Sequence, residues 1–295
     1  MKIDEIFAKK DLVFSFEIFP PKTTSSVDTI YKTLEELKDL KPDFISVTYG
    51  AGGSLVNNRT IELSSLVKEK YGVEAVAHLT CINSTKEEID YILNDLKAHG
   101  IENILALRGD IPEGGVLKGD FKYAYELISH IKKRGDFNIA AACYPEGHVK
   151  GKNLKEDLIH LKLKEESGAT HFISQLFFDN NYFYNFLEEK DKLNIKSSIE
   201  AGIMPVTNKA QIERLTSLCG VNLPEKFIKI VNKYEYDRVA LRDAGIAYAV
   251  EQIVDLVSSG VDGIHLYTMN NPYVARKITE SISSIINSIN KQKAI

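Results

Sequence analysis

Cysteine is scarce in this sequence, and its few residues do not suggest a disulfide framework. Cys81, Cys143 and Cys219 form an odd and widely spaced set. Small secreted domains usually carry paired cysteines, whereas reduced thiols are the rule in the cytoplasm. Cys81 and His78 stand too far from other His and Cys residues to give the spacing of a zinc site. We therefore expect a cytoplasmic protein without a bound metal.

Long apolar runs and a strong charge of one sign are also missing. No apolar run is long enough to span a bilayer, and residues 1–10 lack the apolar core of a signal peptide. The net charge of −4 is spread along the chain, which gives no reason to expect nucleic acid or a membrane as partner. The hydrophobic fraction of 44% is ordinary for a soluble globular protein.

The sequence also lacks the glycine-rich loops that hold phosphates in doubly wound α/β proteins. In the segment Gly50-Ala-Gly-Gly-Ser-Leu55, leucine stands where the third glycine of a dinucleotide-binding turn would fall. No P-loop is present either. The doubly wound sheet therefore remains only a rival to the fold that the rest of the pattern predicts.

Eight short apolar runs, each followed by a helical pattern, organise the chain. They recur at regular intervals, except that the last gap is about twice as long and holds extra helices. Nearly continuous apolar strands are typical of a parallel sheet covered on both faces. The pattern predicts a (β/α)₈ TIM barrel as one domain over residues 1–295, with extra helices between strands 7 and 8. The predicted strands are Leu12–Phe19, Phe44–Tyr49, Val73–Cys81, Asn103–Leu107, Ile139–Tyr144, His171–Phe177, Ser197–Met204 and Gly263–Met269.

Local signals mark where several helices begin. Thr85 followed by Glu88 is a capping box, and Asn153 and Asn208 are suitable N-caps. A long helix is predicted from about Asp237 to Ser258. No element is predicted for residues 1–10.

Polar side chains stand where the predicted strands end. In barrels of this class the catalytic groups lie at the C-terminal ends of the strands. The residues at these positions are Glu17, Thr48, His78, Arg108, Asp110, Tyr144, Gln175 and Tyr267.

Glu17 is the candidate acid. It stands among Phe14, Phe16 and Phe19, and these neighbours favour its burial over a salt-bridged position at the rim. Burial raises the pKa of a carboxyl group, which suits a general acid.

Arg108 and Asp110 admit two interpretations. The two side chains share one face of an extended segment and could pair with each other. Alternatively, an arginine beside Gly109 could hold phosphate or a polar ring. His78 is more often a core histidine than a ligand in such a place, whereas a buried amide such as Gln175 can recognise a heterocycle. These residues predict an enzyme but do not name its substrate.

Several blocks together resemble methylenetetrahydrofolate reductase, in the order of that family and over its catalytic domain. The blocks are Phe16-Glu-Ile-Phe-Pro-Pro-Lys22, Ser46-Val-Thr-Tyr-Gly-Ala51, His78-Leu-Thr-Cys81, Ala106-Leu-Arg-Gly-Asp110, Ala142-Cys-Tyr-Pro-Glu-Gly-His148, Gln175-Leu-Phe-Phe-Asp179 and Gly202-Ile-Met-Pro-Val206. The resemblance implies a barrel that binds FAD at its mouth. It also implies that FAD takes hydride from NADH or NADPH and passes it to 5,10-methylenetetrahydrofolate, giving 5-methyltetrahydrofolate.

The same resemblance assigns roles to residues. Glu17 corresponds to the acid that protonates a folate nitrogen, and Asp110 to a carboxylate near flavin and folate. The implied substrate-binding residues are Gln175, Gln211, Tyr267 and Asn271. The implied flavin-binding residues are Thr48, Tyr49, Ala51, His78, Arg108, Gly109, Asp110, Tyr123, Ala124, Tyr144, His148, Asp157, His160 and Lys164.

Four positions depart from the family pattern. Leu163 stands in place of an arginine of the flavin site, and His160 in place of an asparagine. Asn271 replaces an arginine that would face substrate, and Leu215 replaces an aromatic residue that would stack on it.

Two other functions remain open. One is a flavoprotein subunit that receives electrons from a partner protein, which the altered residues Leu215 and Asn271 motivate. The other is a non-redox, pterin-binding barrel that transfers methyl groups. The resemblance further implies a homo-oligomer, and we expect no regulatory extension that binds S-adenosylmethionine.

Overall fold

The computed structural model describes residues 1–21, 27–49, 59–110, 119–149, 151 and 153–292. Its eight strands are parallel and close into one barrel in sequence order, with the last strand pairing with the first. The strands are β1 Val13–Ile18, β2 Phe44–Val47, β3 Glu74–Thr80, β4 Asn103–Leu107, β5 Asn138–Cys143, β6 His171–Ser174, β7 Ser198–Ile203 and β8 Gly263–Tyr267. The predicted (β/α)₈ barrel is confirmed, and the doubly wound sheet is excluded.

Helices alternate with these strands and cover the outside of the barrel. They are α1 Ile3–Lys9, α2 Val27–Lys38, α3 Arg59–Glu69, α4 Lys86–Ala98, α5 Ala124–Arg134, α6 Leu154–Glu166, α7 Asn180–Lys192, α8 Lys209–Cys219, α9 Glu225–Tyr234, α10 Arg238–Ser258 and α11 Pro272–Gln292. The extra helices predicted between strands 7 and 8 are present. Within the described ranges, no helix is long and apolar enough to cross a membrane.

The predicted helix starts are confirmed by their hydrogen bonds. Thr85 and Glu88 form a reciprocal capping box at the start of α4. The side chains of Asn153, Asn208 and Asp237 each accept a backbone N–H in the first turn of the following helix. Each cap satisfies donors that the helix itself leaves unpaired, so these boundaries follow from local sequence.

Helix α1 was not predicted, and it lies at the N-terminal end of the barrel. Ile3 and Ile6 are buried in a cluster with the inward-facing Val13 and Phe44. The Asn103 side chain accepts a hydrogen bond from the Ile3 amide at 3.0 Å. The helix has only 7 residues and no side-chain N-cap, so contacts with the barrel stabilise it rather than a local signal.

Gly245 allows α10 to pack closely on the segment that follows β7. A Cβ atom at this buried position would lie 1.7 Å from the carbonyl oxygen of Val206. This approach holds the end of β7 against the extra helices, next to the C-terminal mouth.

We expect Gly245→Ala to destabilise the protein by about 1–3 kcal/mol, because the added methyl group overpacks this contact. Helix propensity alone predicts the opposite sign, a gain of about 1 kcal/mol. Urea denaturation would measure the change, with Ala247→Gly on the exposed face of α10 as the control for propensity. A stabilised Gly245→Ala variant would contradict the close packing.

Candidate active site

A cavity of about 330 Å³ lies at the C-terminal mouth of the barrel. It brings together ten of the residues selected from the sequence, which come from seven strands and the loops after them. These ten are Glu17, Thr48, His78, Arg108, Gly109, Asp110, Tyr144, His148, Gln175 and Tyr267. Leu105, Leu107, Ala142, Ile173 and Ser174 complete the lining. The parallel sheet explains the convergence, because all eight strands end on the same side.

Glu17 lies on the inner face of β1, but not for the reason that its neighbours suggested. Phe14 and Phe16 point outwards into the core beneath the helices, where they are almost fully buried. Side chains alternate along a strand, so Glu17 points away from them and into the barrel. Its side chain is 20% exposed. The expectation that the flanking phenylalanines bury Glu17 is therefore wrong.

Two histidines flank the Glu17 carboxyl group. Its Oε2 atom lies 3.6 Å from Nε2 of His78 and 3.8 Å from Nε2 of His265. Burial lowers the pKa of His78 to about 4, so its imidazole is neutral near pH 7. The buried Nε2 atom of His78 has no hydrogen-bond partner among the described residues. His78 thus combines a core position with a nitrogen that faces the cavity.

Below Glu17, a buried polar chain continues into the barrel. The Ser15 hydroxyl lies 2.7 Å from Oε1 of Glu200 and 2.6 Å from Nδ1 of His265. The Ser46 hydroxyl lies 3.3 Å from Nε2 of the same histidine. Glu200 is completely buried, and this burial raises its pKa to about 8.

His265 and Glu200 were missed in the sequence. A usable signal was present, because Glu200 is a charged residue in the middle of an otherwise apolar strand. His265 could not be connected with Ser15 before the pairing of β1 with β8 was known.

Arg108 and Asp110 do not pair with each other. No ion pair joins them, and the Arg108 guanidinium instead donates to the Gly109 carbonyl oxygen at 3.4 Å. Gly109 has a φ of +85°, a left-handed conformation that favours glycine. A Cβ atom there would lie only 3.0 Å from Thr80 Cβ. The turn therefore leaves both charged side chains in the cavity lining.

A cluster of aromatic and basic side chains forms the side of the mouth that follows the C-terminal end of β5. Tyr144 packs edge-on against His148, with ring centroids 4.7 Å apart. The Lys164 ammonium donates to the Ala142 carbonyl oxygen at 2.8 Å and lies 5.7 Å from the Tyr144 ring centroid. Burial lowers the pKa of Lys164 to about 8 and raises that of Tyr144 to about 12. Asp157 accepts the His148 N–H at 2.6 Å, which fixes the loop after Tyr144.

The other side of the mouth carries Tyr267 and Gln175. The Tyr267 hydroxyl donates to the Ser174 carbonyl oxygen at 2.6 Å. A Cβ atom at Gly202 would lie 2.8 Å from that hydroxyl, so the tyrosine depends on this glycine. The Gln175 side-chain oxygen accepts the Leu176 N–H at 3.0 Å. Because this bond holds the amide by its oxygen, the amide nitrogen is available to a ligand.

Eight of the selected residues lie outside the cavity lining. They are Tyr49, Tyr123, Ala124, Asp157, His160, Lys164, Gln211 and Asn271. Tyr123 and His160 stack with centroids 5.2 Å apart, and Asn271 accepts the Val274 N–H at the start of α11. Ala51 and the Leu215 side chain lie outside the described part of the chain. No cluster of His, Cys, Asp or Glu in that described part could hold a metal ion.

The Glu17 carboxyl group, the neutral His78 imidazole and the Arg108 guanidinium lie together at the C-terminal mouth of a closed (β/α)₈ barrel. This arrangement is typical of the enzymes that share this fold. Residues 2–283 match the family described as Methylenetetrahydrofolate reductase. The chain is 36% identical over 269 residues to the 5,10-methylenetetrahydrofolate reductase of Pectobacterium carotovorum subsp. carotovorum, covering 91% of this chain and 89% of that one. It therefore belongs to the methylenetetrahydrofolate reductase family and is an oxidoreductase.

Other relatives agree with this assignment, and a solved structure shares the fold. The 5,10-methylenetetrahydrofolate reductase of Escherichia coli K12 is 34% identical over 268 residues, covering 91% of this chain and 90% of that one. Methylenetetrahydrofolate reductase (NADH) 1 of Arabidopsis thaliana is 34% identical over 91% of this chain, which matches 48% of the plant protein. An uncharacterized protein from Clostridium thermocellum that binds two copies of 5-methyl-5,6,7,8-tetrahydrofolic acid shares the fold. Its TM-score is 0.62 at 14% identity, over 97% of this chain and 99% of that one.

Three buried groups in the barrel predict how stability depends on pH. Burial lowers the pKa of His78 to about 4 and that of His171 to about 3, from 6.5, and raises that of Glu200 from 4.5 to about 8. Between about pH 4.5 and 6.5, unfolding binds two protons at the histidines and releases one from Glu200. The free energy of unfolding then rises with pH by roughly 1.4 kcal/mol per unit.

Between about pH 6.5 and 8, only Glu200 releases a proton on unfolding, so the free energy of unfolding falls by a similar slope. We expect maximal stability near pH 6.5, measured by urea denaturation of the cofactor-free protein. Glu200→Gln should remove the fall above pH 6.5 and make the rise below it about twice as steep, because only the two histidines then exchange protons. A wild-type protein of constant stability from pH 6.5 to 8 would contradict the neutral, buried state of Glu200.

Proposed function

We propose that this protein reduces 5,10-methylenetetrahydrofolate to 5-methyltetrahydrofolate through FAD, with NADH or NADPH as donor, in a ping-pong sequence. The observation that carries the proposal is that Glu17, Asp110 and Gln175 line one cavity. These are the three residues to which the family resemblance assigns the chemistry. The name of the Arabidopsis relative specifies NADH, which favours this donor over NADPH.

The residues around the cavity fit a flavin. His78 offers a buried nitrogen without a partner, and Arg108 is not neutralised by Asp110. Lys164 supplies a second cation, and an arginine is worth most where its donors meet phosphate oxygens. The exposed stack of Tyr123 and His160 offers a flat surface for an aromatic ring. FAD, when bound, would supply the hydride chemistry that amino-acid side chains lack.

The side chains themselves would move a proton and hold charge. Glu17 would protonate a folate nitrogen so that the five-membered ring opens to an iminium cation. Asp110 would stabilise that cation by its negative charge, in a cavity where electrostatic interactions are stronger than in water. The Gln175 amide would bind the nicotinamide and folate rings in turn, and Tyr267 would contact the folate. Gln211 and Asn271 lie outside the lining, so their roles as substrate contacts rest on the resemblance alone.

The alternatives have less support. The relatives carry the name of a reductase, which favours neither a partner-fed subunit nor a non-redox methyl transferase.

Anaerobic mixing with NADH, and separately with NADPH, tests the proposal directly. Bleaching of the flavin spectrum by either nucleotide and its recovery with methylenetetrahydrofolate would support it. A flavin that neither nucleotide reduces would support the partner-fed subunit. The homo-oligomer and the cytoplasmic location stay predictions.

We expect Glu17→Gln to lower folate-dependent turnover by about 10²–10⁴-fold, because the amide cannot donate the required proton in a transition state. The flavin spectrum and the rate of its reduction by NADH should be unchanged. Stopped-flow absorbance of the two half-reactions separates these effects, and Glu251→Gln on the surface of α10 is the matched control. Normal folate turnover in Glu17→Gln would refute its role as the acid.

We expect Arg108→Ala to weaken FAD binding about 10- to 100-fold, since a hydrogen bond to a charged group contributes about 1.5–3 kcal/mol. Fluorescence titration of the cofactor-free protein with FAD measures this affinity. Arg134→Ala, which removes an exposed arginine paired with Asp90 at the end of α5, serves as the control. Equal FAD affinities of the two variants would exclude Arg108 from the flavin site.

A further inference from the structure

A single line of polar groups connects the Glu17 carboxyl to the inside of the barrel. Nε2 of His265 lies 3.8 Å from Oε2 of Glu17, and Nδ1 of the same ring lies 2.6 Å from the Ser15 hydroxyl. That hydroxyl lies 2.7 Å from Oε1 of Glu200. Ser15 therefore contacts both Glu200 and His265, and the His265 ring stands between Ser15 and Glu17. Its Nε2 atom also lies 3.3 Å from the Ser46 hydroxyl.

The surroundings of Glu200 favour its neutral form. The side chain is completely buried, and its Oε2 atom has no hydrogen-bond partner among the described residues. No described lysine or arginine lies within ion-pair distance of it. Its Oε1 atom forms a hydrogen bond with the uncharged Ser15 hydroxyl. An ionised carboxylate without a partner is very costly in such a place, so the group keeps its proton.

The titratable groups around Glu200 come from several elements. His265 lies on β8, His171 on β6 and Glu17 on β1, while Asp43 and Asp262 precede β2 and β8. His171 is buried and neutral near pH 7, and the two aspartates add negative charge that also favours the protonated form. His171 and the carboxyl groups therefore supply no positive charge that would ionise Glu200 near neutral pH.

We propose that Glu200 is an internal proton reserve that supplies Glu17, through Ser15 and His265, with the proton that Glu17 gives to the substrate. The proposal rests on the proposed function, in which Glu17 gives a proton to the folate. Neither Glu200 nor Ser15 touches the cavity, so Glu200 is a positioning residue that acts through His265.

The transfer balances without any further reactant. With Glu200 neutral, its O–H donates to Ser15, the Ser15 O–H donates to Nδ1 of His265, and Nε2–H of His265 faces the ionised Glu17. When each proton moves one place along this line, Glu17 becomes a neutral acid and Glu200 an anion. The His265 ring accepts one proton at Nδ1 and releases one at Nε2, so its net charge is unchanged and only its tautomer changes. A proton taken up by Glu17 from solvent, after product leaves, reverses the sequence.

One gap in the line must close for this transfer. The distance of 3.8 Å between His265 and Glu17 exceeds a hydrogen bond. Catalytic hydrogen bonds often tighten only when substrate is bound. Glu17 is partly exposed at the cavity, so a rotation of its carboxyl group can bring the two atoms together.

Infrared spectroscopy of the cofactor-free protein tests the stored proton. We expect a protonated carboxylic acid band at pH 7 that disappears in Glu200→Gln and survives in the surface control Glu251→Gln. The band should titrate away near pH 8. A wild-type spectrum without this band, or a band that survives in Glu200→Gln, would overturn the proposal.

A single-turnover experiment tests the delivery to Glu17. Reduced enzyme is mixed with methylenetetrahydrofolate over a range of pH. We expect flavin reoxidation to slow about tenfold in Glu200→Gln and in Ser15→Ala, with reduction by NADH unchanged. The wild-type rate should fall above about pH 8, and this fall should vanish in Glu200→Gln. A merely structural glutamate would leave the pH profile unaltered, because glutamine retains the hydrogen bond to Ser15.

Failure of the proposed function and failure of the proton reserve give different results in this experiment. A wild-type protein that does not react with folate would overturn the proposed function together with the supply of a proton to Glu17. A wild-type protein that reacts normally, with Glu200→Gln equal to it in rate and pH profile, would overturn the proton reserve alone.

Discussion

The parallel pairing of β1 with β8 is the constraint on which the site depends. It sets Ser15 beside His265 and Glu17 beside Tyr267, and closes the barrel. Because the register moves in steps of one residue, a shift by one would turn Glu17 into the outer core and Phe16 into the cavity. The hydrophobic core around Phe14 and Phe16 therefore holds the acid in place, although both side chains lie on the opposite face of the strand.

A polar barrel interior distinguishes this protein from the usual packing of its fold. Barrel interiors are filled mainly by branched apolar side chains. Here the interior also contains Ser15, His171, Glu200 and His265, all buried. Such groups lower stability unless they are hydrogen-bonded, and the apolar cluster between strands and helices must offset their cost. Because these polar groups are arranged around Glu17, we attribute the loss of stability that they cause to the chemistry at the mouth of the barrel.

The parts of the fold that depend on local sequence were predictable. Apolar runs predicted all eight strands, and the side chains of Thr85, Asn153 and Asn208 predicted three helix starts. Helix α1 escaped prediction because its contacts with the barrel bottom, rather than its own sequence, stabilise it. The environment of Glu17 was misjudged for a related reason, since sequence neighbours on a strand lie on opposite faces.

The barrel, the location of the chemistry at its mouth and the family could all be predicted from the amino-acid sequence, because they follow from periodicity and from ordered local motifs. Which side chains share an environment depends on tertiary contacts. The tertiary structure separates Arg108 from Asp110 through the left-handed turn at Gly109, and it joins Glu17, His265 and Glu200 across three strands. The closure of the sheet creates these contacts between residues up to 250 positions apart, and no local pattern records them.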